Sequence, residues 1–137
     1  RAQRANHPGV TVGYRLFSPD GVIVFFPDTE PRSAGDEREM IDFCRDADVL
    51  ILDSQYDRAE YRRHTGWGHG CVDDSVALAL KAGVKKLVLF HHDPDHDDRK
   101  IDAFVKHARQ LVLKAQGKLK VEAAREGMGI QLGGKMN

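Results

Sequence analysis

The chain is 137 residues long and 41% of its residues are hydrophobic, which suits a single folded domain with a core of its own. Lysine and arginine together number 21, as do aspartate and glutamate, so the formal net charge is zero. That balance argues against strong non-specific attraction to nucleic acid or an anionic membrane, although it leaves room for a local basic patch. Two cysteines are too few for a disulfide framework and favour a reducing, cytoplasmic location. No apolar run approaches the ~20 residues of a membrane span.

The first elements in chain order are a predicted β-hairpin and a helix. Residues 10–17 and 22–26 are rich in β-branched and aromatic side chains, and the segment SPDG at 18–21 between them is typical of a tight turn. A helix is expected over residues 35–45, with Ser33 as its N-cap. The hairpin connection is therefore predicted to be short.

Strands and helices are predicted to alternate over the rest of the chain. The continuous apolar run at residues 49–52 is typical of a strand covered on both faces, and residues 86–90 are predicted to form another buried strand. A loop is expected over residues 54–71 and a helix over residues 73–82. A 3.6-residue apolar period then predicts a long helix from residue 101 to about 117, before short strands at 119–123 and 129–132. This order indicates an α/β domain with helices packed on a sheet.

Side chains able to bind a metal lie where predicted strands end. Asp28 follows the second hairpin strand, His91 and His92 follow the strand at 86–90, His69 lies in a glycine-flanked loop, and His7 precedes the first strand. Imidazole and carboxylate groups are ligands that suit zinc, manganese or iron. The same side chains are also common at turns, where they bond backbone groups. Their spacing alone leaves both interpretations open.

Four segments are more informative in their order than any one is alone. They are NHPG at residues 6–9, FPDT at 26–29, GWGH at 66–69 and LVLFHHDP at 87–94. In this order they resemble the later motifs of the metallo-β-lactamase superfamily, in particular its ribonuclease Z-like and phosphodiesterase-like members. The resemblance implies a four-layer αββα sandwich of two similar halves, with a dinuclear metal site at the seam. Residues 1–132 would form the C-terminal half of that domain, and residues 133–137 a flexible tail.

The resemblance also implies a role for each candidate residue. His7 resembles a histidine that binds the first of two divalent metal ions, Asp28 the carboxylate that bridges them, and His91 the last histidine, on the second metal. Zinc is the first choice of metal, with manganese or iron as alternatives. A hydroxide shared by the two metals would attack the substrate. His69 resembles a proton donor or charge stabiliser in phosphate-ester cleavage, which favours a phosphodiester substrate.

Two neighbouring residues have more ordinary interpretations. The family segment Gly-His-Ser-Thr reads Gly-His-Gly-Cys here, and we expect Cys71 to be a small buried residue and not a nucleophile or zinc ligand. We expect Asp53 to order a loop or another side chain and not to bind metal itself.

The chain also departs from the family pattern. It contains no His-x-His-x-Asp-His segment, so the partner we expect is a missing N-terminal half that carries these ligands, and residues 1–137 alone should be inactive. The short turn at 18–21 leaves no room for the insertion with which ribonuclease Z enzymes grip transfer RNA. Together with the zero net charge, this argues against transfer RNA and for a small phosphodiester.

The leading hypothesis is therefore a metal-dependent, phosphodiesterase-like hydrolase. A thioester hydrolase of the same fold is one alternative, and a non-catalytic α/β binding or assembly domain is another. The sequence leaves open whether the protein forms a homo-oligomer.

Overall fold

The computed structural model describes residues 1–133 and shows one mixed sheet. The six strands lie side by side in chain order. The first three run antiparallel, and the third to the sixth run parallel. The strands are β1 (Ala2–Arg4), β2 (Val12–Ser18), β3 (Gly21–Phe26), β4 (Val49–Asp53), β5 (Lys86–Phe90) and β6 (Lys120–Ala123). Of the predicted tail at 133–137, residues 134–137 lie outside the described residues.

Four helices connect the parallel strands or lie between them: α1 (Ala34–Cys44), α2 (Arg58–His64), α3 (Val72–Lys81) and α4 (Asp98–Lys114). Ser33 caps α1 as predicted, and it forms a capping box with Asp36. Asp57 caps α2 in the same way, with Glu60 as its partner. Over residues 1–133, no helix is both long and apolar enough to cross a membrane.

The β2–β3 hairpin has the short connection that the sequence predicted. Ser18 pairs with Gly21, so only Pro19 and Asp20 lie in the loop. Gly21 has a φ of 152°, and a Cβ at this position would meet the side chain of Asp48 at 2.7 Å. Glycine is therefore required here, because the turn passes so close to Asp48, the residue before β4.

One face of the sheet carries the hydrophobic core. Alternate strand residues, among them Phe26, Leu50 and Leu89, are fully buried there against α1, α3 and α4. The helices contribute apolar residues at helical spacing, such as Phe104 and Ala108 of α4. Burying one such large side chain stabilises the fold by about 2 kcal/mol, so this face supplies most of the driving force for folding.

The other face of the sheet, which we call the open face, is also apolar. It carries the intervening residues of the same strands, because successive strand side chains point to opposite faces. Leu16 is 56% exposed and Tyr14 48% exposed. The rings of Phe25 and Phe90 pack edge to face at 5.3 Å. The two central strands predicted to be covered on both faces are largely buried, since Val49 and Val88 on the open face are 3% and 2% exposed, whereas the exposed residues of this face lie on β2.

Three elements differ from the sequence prediction. The loop predicted over residues 54–71 contains α2, which has no buried residue and so shows no apolar period. Strand β1 is only three residues long and was not predicted. The strand predicted at 129–132 is wrong, because these residues form neither helix nor strand.

Candidate metal centre

Four side chains meet at the carboxyl ends of the parallel strands, where α/β folds place their reactive groups. Asp28 follows β3, Asp53 ends β4, His91 follows β5, and His69 lies just before α3. One ligand atom from each lies within 4.8 Å of the others, and these four residues form a group that could hold a metal ion. The structure thus brings together three of the predicted site residues and adds Asp53.

His91 and Asp28 face each other directly. The Nε2 atom of His91 lies 2.7 Å from Oδ1 of Asp28, and both side chains are about one-third exposed. On the other side of the ring, Nδ1 lies 3.0 Å from the amide oxygen of Gln55. That oxygen can only accept, so Nδ1 carries a proton. Nε2 can then either carry a second proton and donate it to Asp28, or stay unprotonated and bind a metal. The amide of Gln55 is oriented in turn by its bond to Asp93, at 2.9 Å.

The backbone of His91 has the left-handed conformation, with a φ of 60°. Such a φ is uncommon for a residue with a Cβ and costs on the order of 1 kcal/mol or more. It lies where β5 ends and turns the imidazole back towards the cluster. Gln55 and Asp28 compensate by holding the ring at both nitrogen atoms.

Asp53 is buried, and its two oxygens are fully used by protein donors. Oδ2 accepts the backbone N–H of Thr29 and lies 2.8 Å from Nδ1 of His69. Oδ1 accepts the backbone N–H groups of Gln55 and Gly70. A carboxylate offers about four acceptor positions, so little capacity is left for a metal ion. These contacts suit a carboxylate that orders the surrounding backbone and the ring of His69.

Asp53 and His69 form a partly buried pair that holds a proton. Burial raises the pKa of Asp53, and the bond from His69 opposes that rise. The same hydrogen bond raises the pKa of His69 above its usual value, with burial acting in the opposite direction. His69 also stacks on His91, with ring centroids 4.6 Å apart. Its Nε2 edge is left for chemistry, because Nδ1 is committed to Asp53.

His7 lies beside this group but not within the four clustered residues. Its ring centroid is 5.7 Å from that of His69. Nδ1 accepts the backbone N–H of Gly9 at 2.9 Å, so the proton of the neutral ring is on Nε2. Binding a metal through Nε2 would therefore require the proton to move to Nδ1 and the Gly9 contact to break. The predicted ligand role of His7 stays a prediction.

Glu30 is a buried charged residue that no sequence pattern predicted. It is 1% exposed, and its carboxylate accepts the backbone N–H groups of Gly66 and Gly68 and the hydroxyl of Tyr61, all at 2.7 to 3.0 Å. Its own backbone bonds Asn6, next to His7. One residue thus connects the His7 segment with the loop that carries His69. Its position two residues after Asp28 was the available signal, but no periodic pattern marks it.

Gly68 lets these two segments approach each other closely. Its φ is 98°, and a Cβ at this position would lie 2.3 Å from Cδ2 of His7 and 2.6 Å from Cδ of Pro8. A residue with a Cβ would be strained at this φ and would also clash with His7 and Pro8, so glycine is needed here.

Cys71 is buried, as the sequence analysis expected. Burial raises the pKa of its thiol to about 12, and its sulfur lies 3.2 Å from Oδ2 of Asp74. A thiol in this state is a poor nucleophile and a poor metal ligand at neutral pH.

The polar segment after His91 is held by protein groups. His92 Nε2 lies 3.1 Å from the carbonyl oxygen of Ala124, and His96 Nε2 lies 3.0 Å from Glu60. Across residues 1–133, the cluster of Asp28, Asp53, His69 and His91 is the single group with the geometry for a metal.

The clustered donors fit a divalent metal of the zinc, manganese or iron type. Asp28 and His91 offer one carboxylate oxygen and one imidazole nitrogen aimed at the same point. The ring of His91 is oriented through its second nitrogen, as metal-binding histidines usually are. The chemistry of this donor set agrees with the metal centre that the sequence motifs suggested.

Comparison with known proteins identifies the class of this fold. The family model described as the β-lactamase superfamily domain matches residues 1–92, and the chain belongs to that family. Within it, the chain is a ribonuclease Z-like protein of the metallo-β-lactamase fold. Its mixed sheet and helices match solved structures of that fold over more than nine-tenths of the chain.

Two curated relatives are ribonuclease Z enzymes. That of Picrophilus torridus is 35% identical over 80 residues, which are 58% of this chain and 24% of that protein. That of Saccharolobus solfataricus is 31% identical over 120 residues, or 84% of this chain and 40% of that protein. The chain thus spans between a quarter and two-fifths of these relatives.

Solved structures show the same fold at lower identity. The metallo-β-lactamase fold protein YhfI from Bacillus subtilis superposes with a TM-score of 0.74 at 20% identity, covering 93% of this chain and 46% of that one. The short form of human tRNase Z gives a TM-score of 0.68 at 21% identity, covering 96% of this chain and 40% of that one.

Proposed function

We propose that the protein containing this chain is a metal-dependent hydrolase that cleaves a small phosphodiester. The observation that carries the proposal is the pairing of Asp28 with His91 beside the separate, buried pair of Asp53 and His69. The first pair has the donors for a metal, and the second has a proton held near the same point. Hydrolysis of a phosphodiester needs both functions, because a nucleophile must be activated and the leaving oxygen must receive a proton.

The metal ions would be held by His7, Asp28 and His91, together with ligands from outside this chain. When bound, two divalent cations supply Lewis acidity and lower the pKa of a coordinated water. Asp28 would bridge the ions, since a carboxylate has two oxygens for this purpose. Zinc is proposed first, with manganese and iron as alternatives.

His69 would act as the general acid. Asp53 accepts a hydrogen bond from the Nδ1–H of His69 and favours the protonated imidazole. His69 can therefore deliver its Nε2 proton to the departing oxygen. The four donors around Asp53 keep that carboxylate from rotating. His91 stacks on His69 and so would keep the His69 ring beside the metal that Asp28 and His91 would bind.

Two observations support a small substrate. The β2–β3 connection has a two-residue loop, which leaves no extended arm there to hold a large RNA. The net charge of zero gives no general attraction to a polyanion. The ribonuclease Z relatives support a phosphodiester as the bond that is cleaved, because ribonucleases act on the phosphodiesters of RNA.

The open face would pack against a second sheet that carries the remaining ligands. Leu16 and Tyr14 on this face are about half exposed, and the strand residues beside them are apolar as well. A sheet face of this kind is stable in water only when it is covered. The proposed cover is a segment with His-x-His-x-Asp-His, whose metal ligands would complete the site at the strand ends.

The test is metal content and turnover of the complete protein. We expect bound zinc, manganese or iron and hydrolysis of bis-p-nitrophenyl phosphate. D28A should lose metal and at least a hundredfold in kcat/KM, while D20A, in the exposed hairpin turn, should match the parent. A parent protein that hydrolyses a thioester but no phosphodiester would refute the proposal. A metal-free protein whose properties D28A leaves unchanged would also refute it and would favour a binding domain.

A further inference from the structure

Trp67 is a large aromatic residue that the proposed hydrolysis does not use. It is the sole tryptophan of the chain, and its side chain is 61% exposed although it lies only two residues from His69. Exposing an indole costs free energy, since burial of such a ring stabilises a fold or an interface. A tryptophan held outward beside a reactive group therefore indicates contact with something that is not part of this chain.

The exposure of Trp67 does not come from a loose loop. Glu30 accepts the backbone N–H of Gly66 on one side and that of Gly68 on the other, at 2.7 to 3.0 Å. The N–H of Trp67 itself bonds the carbonyl of His64 at 3.0 Å. The backbone on both sides of the indole is thus anchored to a buried carboxylate, and the ring is presented in a defined place.

A series of packed rings leads from the candidate centre to Trp67. His69 contacts Tyr56 edge to face at 6.3 Å, and Tyr56 stacks on His64 at 4.6 Å with an angle of 12° between the planes. His64 then meets Trp67 edge to face at 4.7 Å. Of these rings Trp67 is the most exposed, and it ends the series at the surface. A flat aromatic ligand could extend the series by one more ring.

Exposed arginines flank the segment that carries the indole. Arg62 and Arg63 are exposed in the last turn of α2. Arg32 is exposed too, and its Nη1 atom lies 3.7 Å from the place of a Cβ on Gly66. The chain as a whole is neutral, so three exposed arginines, two of them within five residues of Trp67 and one beside Gly66, concentrate positive charge on the segment that carries the indole. Single-stranded nucleic acid and nucleotides are bound by this combination, in which bases stack and phosphates are paired with arginine.

We propose that Trp67 is a specificity-determining residue that stacks on a nucleobase next to the scissile phosphodiester. The proposal rests on the proposed function and narrows its substrate class to nucleotide esters. Arg32, Arg62 and Arg63 contact the neighbouring phosphates. The rigid loop between Gly66 and Gly68 fixes the distance between the base and the phosphorus at which His69 acts.

The first test compares two esters that share a leaving group, using the complete, metal-loaded protein. Thymidine 5′-p-nitrophenyl phosphate carries a base, and methyl p-nitrophenyl phosphate does not. W67A should lower kcat/KM for the thymidine ester about tenfold, mainly through KM, and leave the methyl ester within about twofold. W67F should retain most of the thymidine activity. F17A is the matched control, because Phe17 is 56% exposed on the far strand β2, and it should change neither ester.

Several outcomes would overturn the stacking role. Equal losses for both esters would mean that Trp67 packs against another part of the protein, and no loss for the thymidine ester would mean that it contacts nothing in the substrate. If the parent protein hydrolyses neither ester, the proposed function fails instead, and the second test still decides the role of Trp67.

The second test needs no turnover. Because Trp67 is the sole tryptophan of residues 1–137, the difference in fluorescence between the complete parent protein and its W67F variant isolates the signal of this ring. Adenosine 5′-monophosphate, titrated to millimolar concentration, should quench this fluorescence with saturation, whereas ribose 5-phosphate should not. The absence of saturable quenching by the nucleotide, or equal quenching by the sugar phosphate, would contradict base stacking.

Discussion

His69 and His91 stack at 4.6 Å with an angle of 18° between their rings, yet each is held by a different carboxylate. Asp53 contacts Nδ1 of His69, and Asp28, which follows β3, contacts Nε2 of His91. Two imidazoles in contact therefore have separate orientations. In the proposed function His91 would bind a metal and His69 would keep a proton, and hydrolysis of a phosphodiester uses both groups.

Asp53→Asn should change the pH dependence of the complete enzyme. The hydrogen bond to Asp53 raises the pKa of His69, so the protonated form, which is the proposed general acid, persists as the pH rises. Without the carboxylate charge that pKa falls, and the loss of kcat on the alkaline side should begin at a lower pH. We also expect kcat at neutral pH to fall by about a hundredfold, a typical value for a general acid.

The measurement is kcat across a range of pH for parent and variant. Asp48→Asn is the control, since Asp48 also accepts a backbone N–H but lies at the opposite end of the strands. A D53N profile with the parent's alkaline limb would show that Asp53 does not act through His69.

Glu30→Ala should destabilise the fold and loosen the loop that carries His69. The substitution leaves the N–H groups of Gly66 and Gly68 without their acceptor, and we expect the free energy of unfolding to fall by about 3 kcal/mol. Urea unfolding measures this loss, and hydrogen exchange at the two glycine amides should accelerate.

Glu37→Ala is the matched control for Glu30. Glu37 pairs with Lys81 at the surface, where an ion pair contributes about 1 kcal/mol at most. If E30A and E37A unfold with the same free energy, Glu30 does not anchor the loop.

Leu16→Glu should reduce self-association of the chain. Leu16 lies on the open face, and the isolated chain of residues 1–137 is expected to associate through that face and to bind a hydrophobic dye. Phe17→Glu is an unusually close control, because Phe17 is also 56% exposed but is the next residue along β2 and points to the other face. Size-exclusion chromatography should show fewer large species for L16E than for F17E. A parent chain that is monomeric and fully active would contradict this prediction.

Both cysteines should be unreactive in the folded chain. Cys44 and Cys71 are buried, and burial raises the pKa of each thiol to about 12. A chromogenic disulfide reagent at pH 8 should therefore detect no thiol in native protein and two in urea. Cys71→Ala should keep kcat/KM of the complete enzyme within about threefold. Rapid native labelling of Cys71 would indicate an activated thiol.

Much of the fold and part of the site could be predicted from the sequence because their signals are local. The apolar run at 49–52, the capping residue Ser33 and the stripe on α4 each depend on residues close in the chain. Strand β1 and helix α2 were missed, since three residues show no period and a helix without buried residues shows no apolar face. Strand β1 is stabilised by pairing with β2, which does not appear in local sequence, whereas α2 begins with a capping box of Asp57 and Glu60 that the sequence does contain.

The sequence by itself determined which chemical groups the centre can contain. Asp28, His69 and His91 follow from motifs at strand ends, and parallel strands bring such ends to one edge whatever the remaining side chains are. Only the tertiary structure decided how these groups are oriented. Asp53 gathers four donors, three of them distant in sequence, and Glu30 anchors the loop that presents Trp67. These hydrogen bonds join residues 16 to 38 positions apart, so they fix angles that no local pattern encodes.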